Sequence, residues 1–319
     1  MMKKLYLLSI AILLCAQCSY SQQPDAVIHV SKRSRCHAPQ PQNDLERMRL
    51  SGRVKTTHTT LYHDDLNKPG FLIELSYVDV DSYDVAGNVR HSAHLYQDGR
   101  PPRLTDKTYD AQGRLKAEVI FNDIFHSNIA MRYFYDSRGH LKLKSRYAVD
   151  SLGNKEWDID STVYTYDARD RLTLIKSRLD PVETFAYDAD GNCIKYTSIR
   201  WRTDTATELY LYDGKCRLIE MHESGYNGKF EFTTTYQYDG RDSVIRSAQK
   251  NDLGPGVCDR TYEYDDHGNV TTALCSACEE PIIHNRYIYD THGNWTRREV
   301  YLRKEQKLDS YEVRTIEYY

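Results

Sequence analysis

Tyrosine–aspartate pairs recur along this chain at a near-constant spacing, and that period limits the fold more than any other feature. The aspartates are Asp84, Asp110, Asp136, Asp167, Asp188, Asp213, Asp239, Asp265 and Asp290, with successive gaps of 26, 26, 31, 21, 25, 26, 26 and 25 residues. A tyrosine precedes each one: Tyr83, Tyr109, Tyr135, Tyr166, Tyr187, Tyr212, Tyr238, Tyr264 and Tyr289. The residue five after the aspartate is apolar in all nine units, from Val89 and Leu115 through Cys193 to Trp295, and glycine stands three after it in six. A fixed period of this length marks a repeat architecture, in which each copy is one supersecondary unit.

Each position in the unit has a physical task. The residue three before the aspartate is aromatic in seven units, Asp81 and Lys107 being the exceptions. Aromatic-x-Tyr puts two rings on one face of a strand, because side chains alternate with a period of two. Aspartate opens a turn by accepting backbone amides ahead of it. Glycine three residues later suits a left-handed position, as in a type I turn closed by a bulge. In that register the tyrosine faces the apolar residue five after the aspartate, a cross-strand pair of a kind worth roughly 0.2–1 kcal/mol. The unit is therefore a β-hairpin. Asp170, Cys216 and Asp242 stand where other units carry glycine. Aspartate tolerates the left-handed region and cysteine does so less well, so distorted turns are expected there.

Nine to ten hairpins amount to about 18–20 strands, which at about 4.8 Å each would make a flat sheet roughly 90 Å wide. Open sheets beyond about ten strands curl or split. The expected fold class is all-β, an array of hairpins forming a curled spiral or open-barrel sheet with stacked tyrosines inside. The abundance of tyrosine, 27 residues against 7 Phe and 3 Trp, suits half-buried sheet faces. Residues 51–319 form the expected β domain, with clear repeats from about 75 and a degenerate opening unit from Leu61 to Glu74. Residues 22–50 are unpatterned and read as a linker or mobile arm.

Residues 1–21 read as an export signal: "MMKK" is the positive end, "LYLLSIAILL" the apolar run, and the small Ser19 and Ser21 place cleavage after Ser21. The mature chain is then expected in the periplasm, on the outer-membrane surface or outside the cell, and not spanning a membrane. A lipid-facing barrel is disfavoured by the last strand, where Glu312 and Arg314 share one face and Glu317 lies on the other. The net charge of −3 gives no reason to expect nucleic acid as a partner. Export leaves six cysteines, Cys36, Cys193, Cys216, Cys258, Cys275 and Cys278, in an oxidising compartment. In the hairpin register Cys258 lies opposite Ser276 and one diagonal step from Cys278. A disulfide from Cys258 to Cys278 or Cys275 is expected to staple this hairpin.

The phrase Y-x-Y-D-x-x-G-N/R-hydrophobic, as in "YEYDDHGNV" from Tyr262 and "YIYDTHGNW" from Tyr287, resembles the YD repeat, also called the Rhs repeat, of bacterial Rhs and toxin-complex proteins and animal teneurins. The resemblance covers residues from about 75 to 319. It implies hairpins that coil into a hollow shell, which in some relatives encloses a toxin domain. The self-cleaving D-P-x-G motif that ends some shells is missing, since "LDPVE" from Leu179 lacks the glycine and "DLGPG" from Asp252 has the wrong order. What the resemblance implies for this chain is thus the fold, and not encapsulation.

The candidate chemistry is thin. The nine aspartates are accounted for as turn formers, and His267 and His292, which share one offset, as solvated turn residues and not metal ligands. Cys275 and Cys278 form a C-x-x-C on a strand and turn, without the second pair that zinc needs. No G-x-S-x-G, H-E-x-x-H or phosphate-binding glycine loop occurs. Asp-Ser/Thr tripeptides at Asp150, Asp160, Asp204 and Asp242 resemble an O-glycosylation sequon of exported bacterial proteins. The expected function is an exported, non-enzymatic binding or structural module without cofactor, its ligand a glycan or a protein. The alternative is a remnant or accessory piece of an Rhs-type toxin-delivery shell.

Overall fold

The computed structural model describes residues 44–64, 73–122, 128–179, 181–200, 204–225, 230–251, 257–275, 281–302 and 307–319; residues 1–21, read above as an export signal, and Cys36 and Cys278 lie outside them. A short helix, α1 (Asp44–Arg47), precedes twenty strands. The first ten are β1 (Val54–Asp64), β2 (Ile73–Tyr83), β3 (Val89–Tyr96), β4 (Arg103–Tyr109), β5 (Leu115–Phe121), β6 (Ile129–Tyr135), β7 (Leu141–Val149), β8 (Lys155–Tyr166), β9 (Leu172–Lys176) and β10 (Val182–Tyr187). The rest are β11 (Cys193–Arg200), β12 (Asp204–Tyr212), β13 (Leu218–Gly225), β14 (Phe230–Tyr238), β15 (Val244–Asn251), β16 (Val257–Tyr264), β17 (Val270–Cys275), β18 (Pro281–Tyr289), β19 (Trp295–Leu302) and β20 (Lys307–Tyr318). Each repeated tyrosine ends a strand and each residue five after the aspartate begins the next, so the all-β hairpin array expected from the sequence is what forms. Among the described residues no helix is long and apolar enough to cross a membrane.

The chain divides into two compact units. The larger holds Pro39–Thr184, Ile199–Trp201 and Glu280–Tyr319. Within it β1 is paired antiparallel on both sides, Thr57 facing Asp81 of β2 and Ile316 of β20. The first strand therefore offers no open edge, the feature that makes strands template aggregation. The last residue reinforces this: the Tyr319 amide donates to the Arg53 carbonyl at 2.9 Å, and its hydroxyl to the Tyr83 carbonyl at 2.6 Å. Leu45, Leu50, Val54, Tyr83 and Val89 form a buried cluster here, with Ile316 and Tyr318 packed against it. The Leu45 amide bonds the Gly87 carbonyl at 3.0 Å. The last residues of the segment read as an arm are thus seated on the first hairpin turn.

The smaller unit contains Phe185–Ser198 and Arg202–Glu279 among its residues. Strands β12 to β17 pair in sequence order, all antiparallel. Its core is Cys193, Tyr210, Leu218, Tyr236 and Val244, flanked by half-buried tyrosines that include Tyr212, Tyr238 and Tyr262. These are repeat positions: the two aromatics before the aspartate and the apolar residue after it. The other face of the same strands stays open, with Leu209, Leu211 and Ile245 exposed.

The predicted cross-strand pair is seen, among the described residues, in eight hairpins: Tyr83–Val89, Tyr109–Leu115, Tyr135–Leu141, Tyr166–Leu172, Tyr212–Leu218, Tyr238–Val244, Tyr264–Val270 and Tyr289–Trp295. Just beyond each pair the register slips, because the second strand carries an extra residue. Such a bulge adds twist and bend, and repetition adds it once per unit.

The turns themselves are uniform. The residue three after the aspartate has a positive φ whether it is glycine, as Gly139 at 87°, or Asp170, Cys216 and Asp242 at 63°, 61° and 62°. The distortion expected at these three turns is absent. Their closing bonds remain: the Asp170 amide donates to Asp167 at 3.1 Å, Cys216 to Asp213 at 2.9 Å and Asp242 to Asp239 at 3.2 Å. An L-residue in the left-handed region costs about 1–2 kcal/mol, which the surrounding hydrogen bonds offset. A tenth turn of the same build stands at Asp150, with no tyrosine before it. Its Oδ1 accepts the Leu152 and Asn154 amides, both at 2.8 Å. This extra turn lies inside the long interval between Asp136 and Asp167.

Candidate functional site

The repeated residues converge on the seams between neighbouring hairpins. At Asp213, Oδ1 accepts the Lys215 and Arg217 amides at 2.9 Å, while Arg217 Nε donates to Oδ2 at 2.8 Å. The Arg217 guanidinium then lies 4.8 Å over the ring of Tyr238, the tyrosine of the next unit. The Tyr238 hydroxyl donates back to the Leu218 carbonyl at 2.6 Å. Arg114 lies between Asp110 and Tyr135 in the same way, at 2.7 and 4.5 Å. In a third seam His140 stacks on Tyr166 at 4.7 Å. The hydroxyl bond recurs from Tyr109 to Val89, Tyr135 to Leu115, Tyr166 to Leu141, Tyr212 to Cys193 and Tyr264 to Val244, at 2.7–3.0 Å. Each is a side chain of one unit satisfying a backbone carbonyl of the unit before it.

These partners shift the carboxyls. Burial pushes Asp213 upward, but the Arg217 and Lys215 amides and the Arg217 guanidinium outweigh it and hold it below the usual carboxylate range. At Asp136, Asp167 and Asp239 the largest influence is the amide four residues on, which lowers them. Charge-assisted bonds of this kind are stronger than neutral ones. Asp213→Ala, which removes three of them, is expected to cost roughly 1–3 kcal/mol in a urea titration. Asp213→Asn keeps an acceptor for the amides and should cost less; equal losses would mean that the turn bonds carry no weight.

The histidines that shared an offset are absorbed in the same way. The His267 and His292 amides close their turns at 3.0 and 2.9 Å from Asp265 and Asp290. The His292 ring stacks on Tyr318 at 4.1 Å. Among the described residues no group of three or more His, Cys, Asp or Glu could hold a metal ion. Of the cysteines, Cys258 and Cys275 come together, with Sγ atoms 3.6 Å apart. Tyr264 pairs with Val270 but Glu263 with Thr272, and beyond this bulge Cys275 lies opposite Arg260, one diagonal step from Cys258. The unslipped register had put Ser276 opposite Cys258 and Cys278 on its diagonal.

One constellation escaped the repeat pattern. On β2, β3 and β4 of the larger unit, Asp79 faces His94 and His94 faces Arg103, while Asp81 faces Ser92 and Ser92 faces Thr105. These residues share one face of the sheet, and all but Asp81, together with Ala93 and Tyr96, line a cleft of about 300 Å³. Their positions lie two apart on each strand but are scattered over some 25 residues of chain, so only the strand register unites them.

A family model described as Teneurin YD-shell matches residues 148–308, just over half of the chain. No curated protein matches it. The crystal structure of TcdB2-TccC3-Cdc42 is similar at 15% identity, over 71% of this chain and 12% of that one, with a TM-score of 0.40. This chain thus spans a small part of that protein's length. A porin-like protein from Bacteroides uniformis is similar at 14% identity, over 84% of this chain and 99% of its own, with a TM-score of 0.39. The hairpin unit, its period and the family match agree: this chain belongs to the teneurin YD-shell family.

Proposed function

We propose that this protein is an exported, non-enzymatic module of the cell envelope or its surroundings that presents its sheet to a glycan or protein ligand. As a YD-shell protein it is a structural module. The observation that supports the binding reading is the use of the repeated residues. The aspartates are spent on turns and the tyrosine hydroxyls on backbone carbonyls. The scaffold is held by a small set of positions, and the side chains that vary between units are left to face a partner. Repeat arrays commonly present such extended surfaces, and aromatic faces suit sugar rings and partner side chains. A glycan array and a pull-down with the mature protein test this. A reproducible glycan or protein partner supports it, and failure of both screens to return one counts against it.

Export also governs the cysteines. In an oxidising compartment Cys258 and Cys275 join by thiol–disulfide exchange, their two thiol hydrogens passing to an oxidant disulfide. The sulfurs stand 3.6 Å apart, against about 2.05 Å in a disulfide. Peptide mapping without reduction should return one linked peptide pair containing both residues. Full alkylation of both thiols in the exported protein would refute the staple.

A further inference from the structure

We infer that the cleft over β2, β3 and β4 binds a small hydroxylated carboxylate, a sugar acid, with Arg103 taking the carboxylate and His94 a hydroxyl. The inference rests on the binding-module reading and locates one site for it.

Asp79, which lines the cleft, and Asp81, next to it on the same face of β2, already have partners. His94 Nδ1 donates to Asp79 Oδ1 at 2.6 Å, and the Ser92 hydroxyl donates to Asp81. Burial also pushes the Asp81 carboxyl up, with the Ser92 hydrogen bond acting against it. Neither aspartate is hydrogen-bonded to the arginine that shares the cleft. Arg103 Nε is buried and has no hydrogen-bond partner. A buried N–H of a charged group demands an acceptor, and the planar guanidinium fork matches a carboxylate better than any other small acceptor.

His94 is fixed beside it. Its ring lies 4.7 Å from Tyr77 and 4.4 Å from Tyr96, and the bond from Nδ1 to Asp79 leaves Nε2 for a ligand. The Arg100 guanidinium, paired with Asp98 at 2.7 Å, lies 4.1 Å over the Tyr96 ring and packs against this part of the lining. The lining is mostly polar, with Ser92 and Thr105 in the row beside His94 and Arg103. That composition rejects an apolar acid and favours one with several hydroxyls. A volume of about 300 Å³ admits a single sugar ring.

Calorimetric titration with D-galacturonate, acetate and methyl galactoside tests the inference. Galacturonate should bind the native protein about tenfold or more tighter than either control, a difference of about 1.4 kcal/mol. Arg103→Gln and His94→Gln, with melting temperatures checked alongside, should each weaken it about tenfold. If Arg103→Gln fails to fold, His94→Gln decides. No binding of galacturonate, equal binding of acetate or of methyl galactoside, or unchanged affinity in the folded variants would overturn the site. A protein that takes up other glycans while this cleft stays silent loses the site and keeps the binding reading; one that takes up nothing loses both.

Discussion

Tyr238→Phe is expected to lower the unfolding free energy by about 1–2 kcal/mol, and Tyr238→Ala by about 2–4 kcal/mol. The first change leaves the Leu218 carbonyl without the hydroxyl that reaches it at 2.6 Å. The second also empties space beside the cluster of Cys193, Tyr210, Leu218, Tyr236 and Val244 and removes the ring under Arg217. Gln237, the residue between the two aromatics, points to the exposed side, so Gln237→Ala should change stability by less than about 0.5 kcal/mol. Urea unfolding of the three variants measures this contrast. A Tyr238→Phe protein as stable as the native one would mean that the inter-hairpin bonds add nothing.

Stability should also fall at both ends of the pH scale, for opposite reasons. The turn aspartates at 84, 110, 136, 150, 167, 188, 213, 239 and 290 are all lowered in the folded chain. A lowered carboxyl stabilises fully above its unfolded value of about 4, and that stability is lost as pH falls through the folded value. Because the same residue recurs in turn after turn, the acid loss should be cooperative and steep. The tyrosines act at the other end. Burial, opposed by Arg217 and assisted by Asp213, pushes Tyr238 up to about 12, and burial raises Tyr133 and Tyr236 as well. A raised phenol stabilises below its unfolded value of about 10, and that stability is lost as pH climbs from there toward the folded value. Thermal melts between about pH 2 and 11 should therefore give a broad plateau with falls below about 4 and above about 10. A melting temperature that is flat in acid would contradict the role given to the turn carboxylates.

Much of this fold is written locally. Tyrosine, aspartate and the apolar residue five later lie within one hairpin, and period-two alternation suffices to pair Tyr264 with Val270. What failed was what a short motif does not carry. The bulge beyond that pair is one skipped residue, Thr271, with no signature of its own, yet it decides which of the two candidate cysteines stands near Cys258: Cys275 comes one diagonal step away, with its Sγ 3.6 Å off. The turn at Asp150 was missed because Val149 replaces the tyrosine, although the aspartate and Gly153 keep their spacing. The turns at Asp170 and Asp242 were expected to distort because backbone preference was weighed without the bonds that hold them. Leu45 and Leu50 gave no periodic signal, since one helical turn is too short to show one. The row Asp79–His94–Arg103 spans three strands and is visible only once their register is known.

The repeat is a scaffold of equivalent aspartate turns, ten of them among the described residues, each closed by one carboxylate. Site-resolved amide hydrogen exchange tests it most directly. The amide four residues after each aspartate, Asn154 after Asp150 among them, donates to the carboxylate and not to water when that carboxylate is in place. Slow exchange is expected at this position in all ten turns, rising below about pH 4 relative to the intrinsic rate after the nine aspartates whose carboxyls are lowered. Fast exchange at Asn154, or turns that open independently of their aspartates, would contradict it.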